Sequence, residues 1–464
     1  MSQTDPTSPT AALFTDLYEL TMMQSYFDRD MHERAAFSLF VRELPENRNF
    51  LLAAGLDDVL AYLEKLRFDE TDIVYLNSLG RFSPAFLDWL GTFRFTGDVH
   101  AVAEGTPVFA NEPLVEIEAP IAQAQLVETA VMNIIQLQTM LATKAARVVE
   151  AAQGRSVVDF GARRMHGRDA AMKAARAFHI AGVNATSNVE AGRAYGIPVS
   201  GTMAHSYIEA FANEAEAFAA FVRSYPDTVL LVDTYDTLQG VQHVIELARR
   251  LGDDFAVQAV RLDSGDLLEL SRKTRAMLDE AGLQSVGVFA SGGLDEYRIA
   301  ALLADGAPID GFGVGTAMGV SDDAPSLEIA YKLTAYAGEG RMKLSTGKAS
   351  YPGLKQVFRR ETPDGQAAGD TIGLANEALE GRPLIERVMR GGERTRPAPS
   401  LEAIRERAAR ELARLPAHIR AVEPAKSAYP VAISDALESY TEEVRAYLGG
   451  PERRRTGADL KSRS

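Results

Sequence analysis

Seven short apolar runs, each ending in a polar cluster and separated by helix-like segments, constrain this chain more than its totals do. They are SVVDFGARR (156–164), AGVNATSN (181–188), PVSGTMAHS (198–206), VLLVDTYDT (229–237), AVRLDSGD (259–266), VGVFASGG (286–293) and GFGVGTAMG (311–319). A repeated order of apolar strand, polar tip and helix predicts a parallel α/β barrel. In such a barrel the strand ends converge on one face, so residues far apart in sequence share a pocket. The expected pocket holds Arg163, Ser187, Thr202, His205, Asp233, Asp236, Arg261, Asp263, Ser291 and Thr316.

The totals bound what surrounds that repeat. A chain of 464 residues exceeds one ordinary core, so two or three domains are expected. The net charge of −15, from 64 acidic and 49 basic residues, disfavours a general nucleic-acid or acidic-membrane partner, because phosphate binding needs a positive field. A local basic pocket stays compatible with it. The absence of cysteine excludes disulfides, thiolate catalysis and Cys-type zinc sites, and fits a reducing compartment. The opening MSQTDPTSPT has no apolar core and no apolar run reaches membrane-spanning length, so a cytoplasmic protein with no membrane partner is expected.

Along the chain, residues 1–11 read as disordered, rich in Ser, Thr and Pro. A helix capped by Thr15 or Asp16 follows, with Leu17, Leu20, Met23 and Phe27 on one face and Tyr18 off that stripe. Tyr18 therefore needs another partner: a neighbouring domain, another subunit or a ligand. Residues 1–120 form the expected N-terminal α+β domain, with a strand at 35–41, an amphipathic helix at 51–66 and a small β-unit at 93–118. Residues 121–154 are connecting helices and 155–325 the catalytic barrel. Residues 326–393 bring strands back to the first domain, including 327–336 and the turn and strand of 348–360. Residues 394–464 are read as a polar linker, two helices and a frayed basic tail.

Several constellations carry chemistry. In GTMAHS, Thr202, His205 and Ser206 crowd one strand end; His205 either moves a proton or phosphoryl group or is satisfied by backbone. In RLDSGD, Arg261 lies two residues before Asp263, on the same side of a strand. Its planar fork either grips a ligand carboxylate or forms a structural pair with Asp263. Asp263 could bind sugar hydroxyls or a bound metal, or stabilise positive charge. In VDTYDT, Asp236 reads as the cap of the next helix and Asp233 as the site residue. The small residues of Ser291, Gly292, Gly293 and of Gly313, Gly315, Thr316 would let backbone N–H groups approach an anion. The glycine spacing is not a dinucleotide loop, since no second βαβ half or ribose-binding acid follows. DFGARRMHGRD gathers Arg163, Arg164, His166 and Arg168 into a positive spot, either a phosphate site or a solvated loop. The remaining histidines show no metal-ligand spacing, so no protein-held metal is expected.

TDLYELTM, DFGARR, NATSN, GTMAHS, VDTYDT, LDSGD, ASGG and GVGT, in this order, make the chain resemble the nicotinate phosphoribosyltransferase family over nearly its full length. The resemblance implies an N-terminal α+β domain packed on an irregular, TIM-like α/β barrel. It implies the joining of nicotinate to the ribose 5-phosphate of phosphoribosyl pyrophosphate, giving nicotinate mononucleotide and pyrophosphate in NAD salvage. ATP is hydrolysed alongside, and Mg²⁺ is carried with the phosphate substrates. By the same resemblance His205 is the histidine phosphorylated by ATP, and Tyr18, Thr202 and Arg261 contact nicotinate. Thr316 contacts phosphoribosyl pyrophosphate, and Tyr18 reaches the partner's site in a head-to-tail homodimer. Arg163 joins the expected substrate contacts, and Ser291, Gly292, Gly293, Gly313 and Gly315 the expected phosphoribosyl cradle. Asp233 and Asp263 would stabilise the oxocarbenium-like sugar or hold its hydroxyls. Nicotinamide-using relatives carry an Asp where this chain has Ser187, which favours nicotinate. Nicotinamide or quinolinate phosphoribosyl transfer, or a non-catalytic scaffold, are the competing readings.

Overall fold

The computed structural model describes residues 12–344 and 350–450. The tail read as disordered at 1–11, residues 451–464 of the tail read as frayed from Gly449, and the turn residues 348 and 349 lie outside the described residues, while Gly449 ends a helix. The chain divides into two compact units, one of Met1–Thr139, Ser326–Ile419 and Pro424–Ser464, the other of Met140–Pro325 and Arg420–Glu423.

The first unit is built on an antiparallel sheet in the order Glu339–Gly340, Ile329–Tyr336, Arg34–Val41, Pro113–Pro120, Asp98–Val102, Ile385–Arg390, Glu393–Arg394. Arg34–Val41 is central and buried along almost its whole length, so it reads as a continuous apolar run rather than an alternating one. Ile329–Tyr336 returns to pair antiparallel with it, and Phe37 stacks on Tyr331 with ring centroids 4.9 Å apart. The returning strand and the small β-unit thus stand where the sequence puts them.

Four local expectations change. The helix expected over 51–66 begins with the strand Leu51–Leu52, and only Leu56–Lys65 is helical. Gly55 between them takes φ +100°, and a Cβ there would come within 2.9 Å of the Ile134 carbonyl oxygen. The buried stripe of the helix Leu17–Asp28 runs through Glu19, Leu20 and Met23, while Leu17 is exposed. Glu19 goes inside because Thr129 gives its carboxylate both a backbone N–H (3.2 Å) and a hydroxyl (3.0 Å), and Thr15 a further hydroxyl. The connecting helix breaks at Val127 into Ile121–Leu126 and Glu128–Ala151, and the division between units falls inside the second piece. The C-terminal region is more than a helical extension. Between its helices Leu401–Ala413 and Asp435–Gly449, the strand Val431–Ile433 adds parallel to Ala367–Leu374 in a second sheet. The polar linker is anchored as well, since Arg394 pairs with Asp57 (2.5 Å) and Glu64 (3.0 Å).

The second unit is a parallel sheet in the order Ala185–Thr186, Ser156–Asp159, Gly311–Val314, Gly287–Ala290, Ala259–Leu262, Val229–Leu231. Six of the seven apolar runs are its strands. The exception is PVSGTMAHS, whose contribution is a single bridge from Val199 to Thr186. Pro198 has no N–H to donate, and Gly201 leads the chain into a loop before the helix His205–Glu209. Among the described residues no ladder joins the two outer strands, so the TIM-like barrel is corrected to an open half-barrel. Helices follow the strands as expected, with Thr237–Leu251 after the fourth apolar run and Leu267–Glu280 after the fifth. Within this unit Lys144 and Arg147 are buried against the equally buried Glu296 (2.7 and 2.9 Å), with Asp323 (2.8 Å) as a further partner of Lys144. No helix among the described residues is long and apolar enough to cross a membrane.

Candidate active site

The C-terminal ends of the parallel strands bring one set of predicted residues together around a guanidinium. Arg261 lies within the strand Ala259–Leu262, its side chain 12% exposed. Its Nε donates to Ser291 Oγ (2.8 Å), Nη1 to Thr202 Oγ1 (2.9 Å) and to the Met203 carbonyl (3.4 Å), and Nη2 to Asp263 Oδ1 (2.9 Å). Four of the five N–H groups of a guanidinium are thereby committed, and one on Nη2 is left. Of the two readings of the Arg–Asp spacing, the pair with Asp263 is the one present. A single N–H, rather than an empty fork, is left uncommitted. Beneath the guanidinium lies the ring of Phe160, 5.2 Å from centroid to Cζ.

Asp263 joins this cation to the histidine. Its Oδ1 also accepts from Ser291 Oγ (2.5 Å), and its Oδ2 stands 3.7 Å from His205 Nε2. Burial alone would raise the Asp263 carboxyl. The hydrogen bonds from Ser291 and Arg261, with the charges of Arg261 and His205, outweigh burial and hold it below the ordinary carboxylate value. On the other side of the ring, His205 Nδ1 is 3.2 Å from Thr234 Oγ1. Asp233 completes the cluster from the end of Val229–Leu231. Its Oδ2 accepts from the Asp263 backbone N–H (3.0 Å) and Ser264 Oγ (2.6 Å), while its Oδ1 is buried and has no protein partner. Asp236 is the helix cap that its position predicted, accepting from Gln239 N–H at 2.8 Å ahead of Thr237–Leu251.

The glycines divide into two roles. Gly292 sits at φ +90°, and a Cβ on it would fall 1.8 Å from the Asp263 carbonyl oxygen, so only glycine lets Ser291 close on Asp263. Gly293, at φ +61°, continues that turn, and its carbonyl accepts from Arg298 at 2.9 Å. Gly313 differs from the expected anion cradle. It lies buried within the strand Gly311–Val314, in register with Val158, and its missing Cβ leaves room for the Phe160 ring, 2.5 Å from where that atom would be. Gly315 precedes the short helix Thr316–Val320, whose first residue, Thr316, is exposed.

The first strand supplies the edge of the site. Buried Asp159 accepts from Gly161 N–H (2.7 Å) and Thr186 Oγ1 (2.8 Å), and burial raises its carboxyl above the ordinary value. Its backbone carbonyl receives the Ser187 N–H at 2.9 Å, which fixes Ser187 beside the strand end. Arg163 is exposed and touches the Phe160 carbonyl at 3.4 Å. The expected basic spot is diluted, because Arg168 pairs with Glu190 while Arg164 and His166 are exposed. Tyr18 belongs to the first unit, where its side chain is about half exposed. Burial, then the charges of Glu128, Glu19 and Asp16, push its phenol up to about 12. Phe160, Thr234 and Asp159 were not singled out from sequence. Each stands inside a motif that was, but an aromatic, a threonine and a strand-interior acid leave no charge pattern to find. Among the described residues no group of three or more His, Asp or Glu side chains could hold a metal ion.

The model of the nicotinate phosphoribosyltransferase N-terminal domain matches residues 13–136, that of the family's main domain residues 155–349, and that of its C-terminal domain residues 377–441. The chain is 58% identical over 427 residues to nicotinate phosphoribosyltransferase pncB2 of Mycobacterium tuberculosis, covering 92% of each. It is 43% identical to nicotinate phosphoribosyltransferase of Bacillus subtilis, over 79% of this chain and 77% of that protein. Among solved structures it is similar to human nicotinic acid phosphoribosyltransferase, with a TM-score of 0.83 at 28% identity, covering 92% of this chain and 99% of that one. It is also similar to nicotinate-nucleotide pyrophosphorylase from Pyrococcus furiosus, with a TM-score of 0.73 at 25% identity, covering 89% and 98%.

Because hydrogen bonds from Ser291 and Arg261 hold the Asp263 carboxyl low against burial, Ser291→Ala is expected to raise its pKa, read by ¹³C carboxyl NMR titration. A depressed carboxyl contributes stability that is present above its unfolded value of about 4 and is lost as pH falls through the folded value. The variant should therefore flatten the acid limb of the stability curve. An unmoved Asp263 titration would show that the 2.5 Å contact carries no such weight.

Proposed function

This chain belongs to the nicotinate phosphoribosyltransferase family, and we propose that it joins nicotinate to the ribose 5-phosphate of phosphoribosyl pyrophosphate at the cluster around Arg261. The products are nicotinate mononucleotide and pyrophosphate, in NAD salvage. The observation that carries the site assignment is the continuous hydrogen-bonded set Thr202–Arg261–Ser291–Asp263, with His205 and Asp233 against it.

Nicotinate is a flat ring bearing one carboxylate. The remaining Nη2 N–H of Arg261 and the hydroxyl of Thr202 meet that carboxylate, and the positive charge of Arg261 stabilises it in a partly desolvated place. Ser187 leaves room for this anion where an aspartate would repel it. The ring nitrogen attacks the ribose C1 and the bond to pyrophosphate breaks. As it breaks, positive charge develops on the sugar. The free Oδ1 of Asp233 and the ionised Asp263 stabilise that charge or accept the ribose hydroxyls. Ser291, Gly292 and Gly293 with Gly315 and Thr316 hold the phosphates, and Mg²⁺ arrives with those phosphates as part of the substrate. Exposed Arg163 adds positive charge at the rim.

ATP serves as the second phosphate substrate. With Thr234 Oγ1 accepting the Nδ1–H of His205, the lone pair lies on Nε2. That nitrogen takes the γ-phosphoryl group as the bond to ADP breaks, and Asp263, 3.7 Å away, stabilises the resulting positive ring. The phosphorylated His205 adds negative charge and acceptor oxygens that order the surrounding loops. Tyr18, exposed on its helix, reaches the site of the partner subunit in a homodimer.

Assay of nicotinate, nicotinamide and quinolinate with phosphoribosyl pyrophosphate tests the assignment. Wild-type enzyme is expected to prefer nicotinate, and Arg261→Ala to raise its KM about 10- to 100-fold, as loss of a charge-assisted bond of roughly 1.5–3 kcal/mol requires. Preferred turnover of another pyridine, or an unchanged KM, would contradict it. Incubation with γ-labelled ATP should give acid-labile label on the protein that disappears in His205→Ala. Label that survives in that variant would place the phosphate elsewhere.

A further inference from the structure

The first unit holds a partly open cavity of about 240 Å³. It is smaller than a drug-sized pocket and has an apolar wall that includes Leu56, Leu60, Val388 and Pro397. Its polar groups are unequal. Of the two carboxylates in the lining, Asp57 is paired with Arg394 (2.5 Å), and Glu104 accepts the Gly55 N–H (2.6 Å). Arg394 is held further by Glu64 (3.0 Å), and Arg396 is paired with Glu386 (2.5 Å).

Arg407 is different. It stands on the helix Leu401–Ala413, and its Nη1 donates to the Glu104 carbonyl at 2.9 Å. No carboxylate pairs with it among the described residues. Burial, then the positive charges of Arg396 and Arg410, bring the guanidinium below its ordinary value, against the opposite pull of Glu104 and Glu386. The cation is thus partly buried, crowded by like charge and bonded to a backbone carbonyl through Nη1 alone, with no carboxylate ion pair.

We propose that this cavity binds a small monocarboxylate with a short apolar chain, its carboxylate on Arg407 and its chain against Leu60 and Val388. One planar fork matches one carboxylate. A phosphate would have to shed its hydration against a largely apolar wall with no second uncommitted cation to receive it. The proposal is independent of the catalytic assignment, since every lining residue lies in the first unit and none belongs to the Arg261 cluster.

The test is methyl NMR of the full chain labelled at Leu and Val methyls, with nicotinate present throughout so that the Arg261 site is engaged. Hexanoate is the probe, with hexanol and inorganic phosphate as controls. Hexanoate is expected to shift the Leu60 and Val388 methyls saturably, at least tenfold more tightly than hexanol, while phosphate leaves them in place. Arg407→Gln should weaken hexanoate at least tenfold. Ala103→Leu, which fills the cavity and keeps Arg407, should abolish the shifts and serves as the second variant if Arg407→Gln does not fold. Equal binding of hexanol, stronger binding of phosphate, indifference to both variants or absence of a saturable shift would each overturn the proposal.

Discussion

A guanidinium keeps its charge at every physiological pH, so a chain that places one at the mouth of a sheet must organise polar groups around it. Arg261 is that group here. Ser291 and Asp263 follow two neighbouring strands and Thr202 stands in the loop ahead of the helix His205–Glu209, and each is held by a bond to the same side chain. Phe160 closes the remaining face. The cation therefore does two things at once: it ties the loops together, and it keeps Asp263 ionised beside His205. Gly292 is the steric condition for this arrangement, because any side chain there would strike the Asp263 backbone.

Much of this was legible because parallel strands write a plain pattern. Strands buried on both faces read as unbroken apolar runs, and a polar residue at the end of such a run has nowhere to go but the mouth. Arg261, Asp263, Asp233 and Ser291 follow from that rule, whereas Thr202 and His205 reach the same place from a loop and the helix start after it. Gly313 shows its limit. The sequence marks a glycine, but whether the missing side chain makes space for an anion or for a neighbouring ring depends on Phe160, which is 153 positions away. Closure of the barrel was equally hidden, since Pro198 and the turn at Gly201 weaken one strand without changing its apolar look.

The first unit was harder to read for a related reason. Glu19 is buried although its position would be taken for the wet side of a helix, and Thr129, far along the chain, joins Thr15 in making that tolerable. Arg394 looked like part of a loose linker until Asp57 and Glu64 were placed against it. Charged side chains are poor guides to exposure whenever their partners are distant in sequence. The same bookkeeping, applied to the cavity in this unit, singles out Arg407 because its neighbours are already satisfied.

The central claim is that Arg261 is the receptor for the carboxylate of the pyridine substrate. The most direct measurement is a crystal structure with nicotinate bound. The account predicts a carboxylate oxygen within hydrogen-bond distance of Arg261 Nη2 and Thr202 Oγ1, with the ring nitrogen turned toward the Asp233 side. Nicotinate seated in a cavity that Arg261 does not line would contradict it.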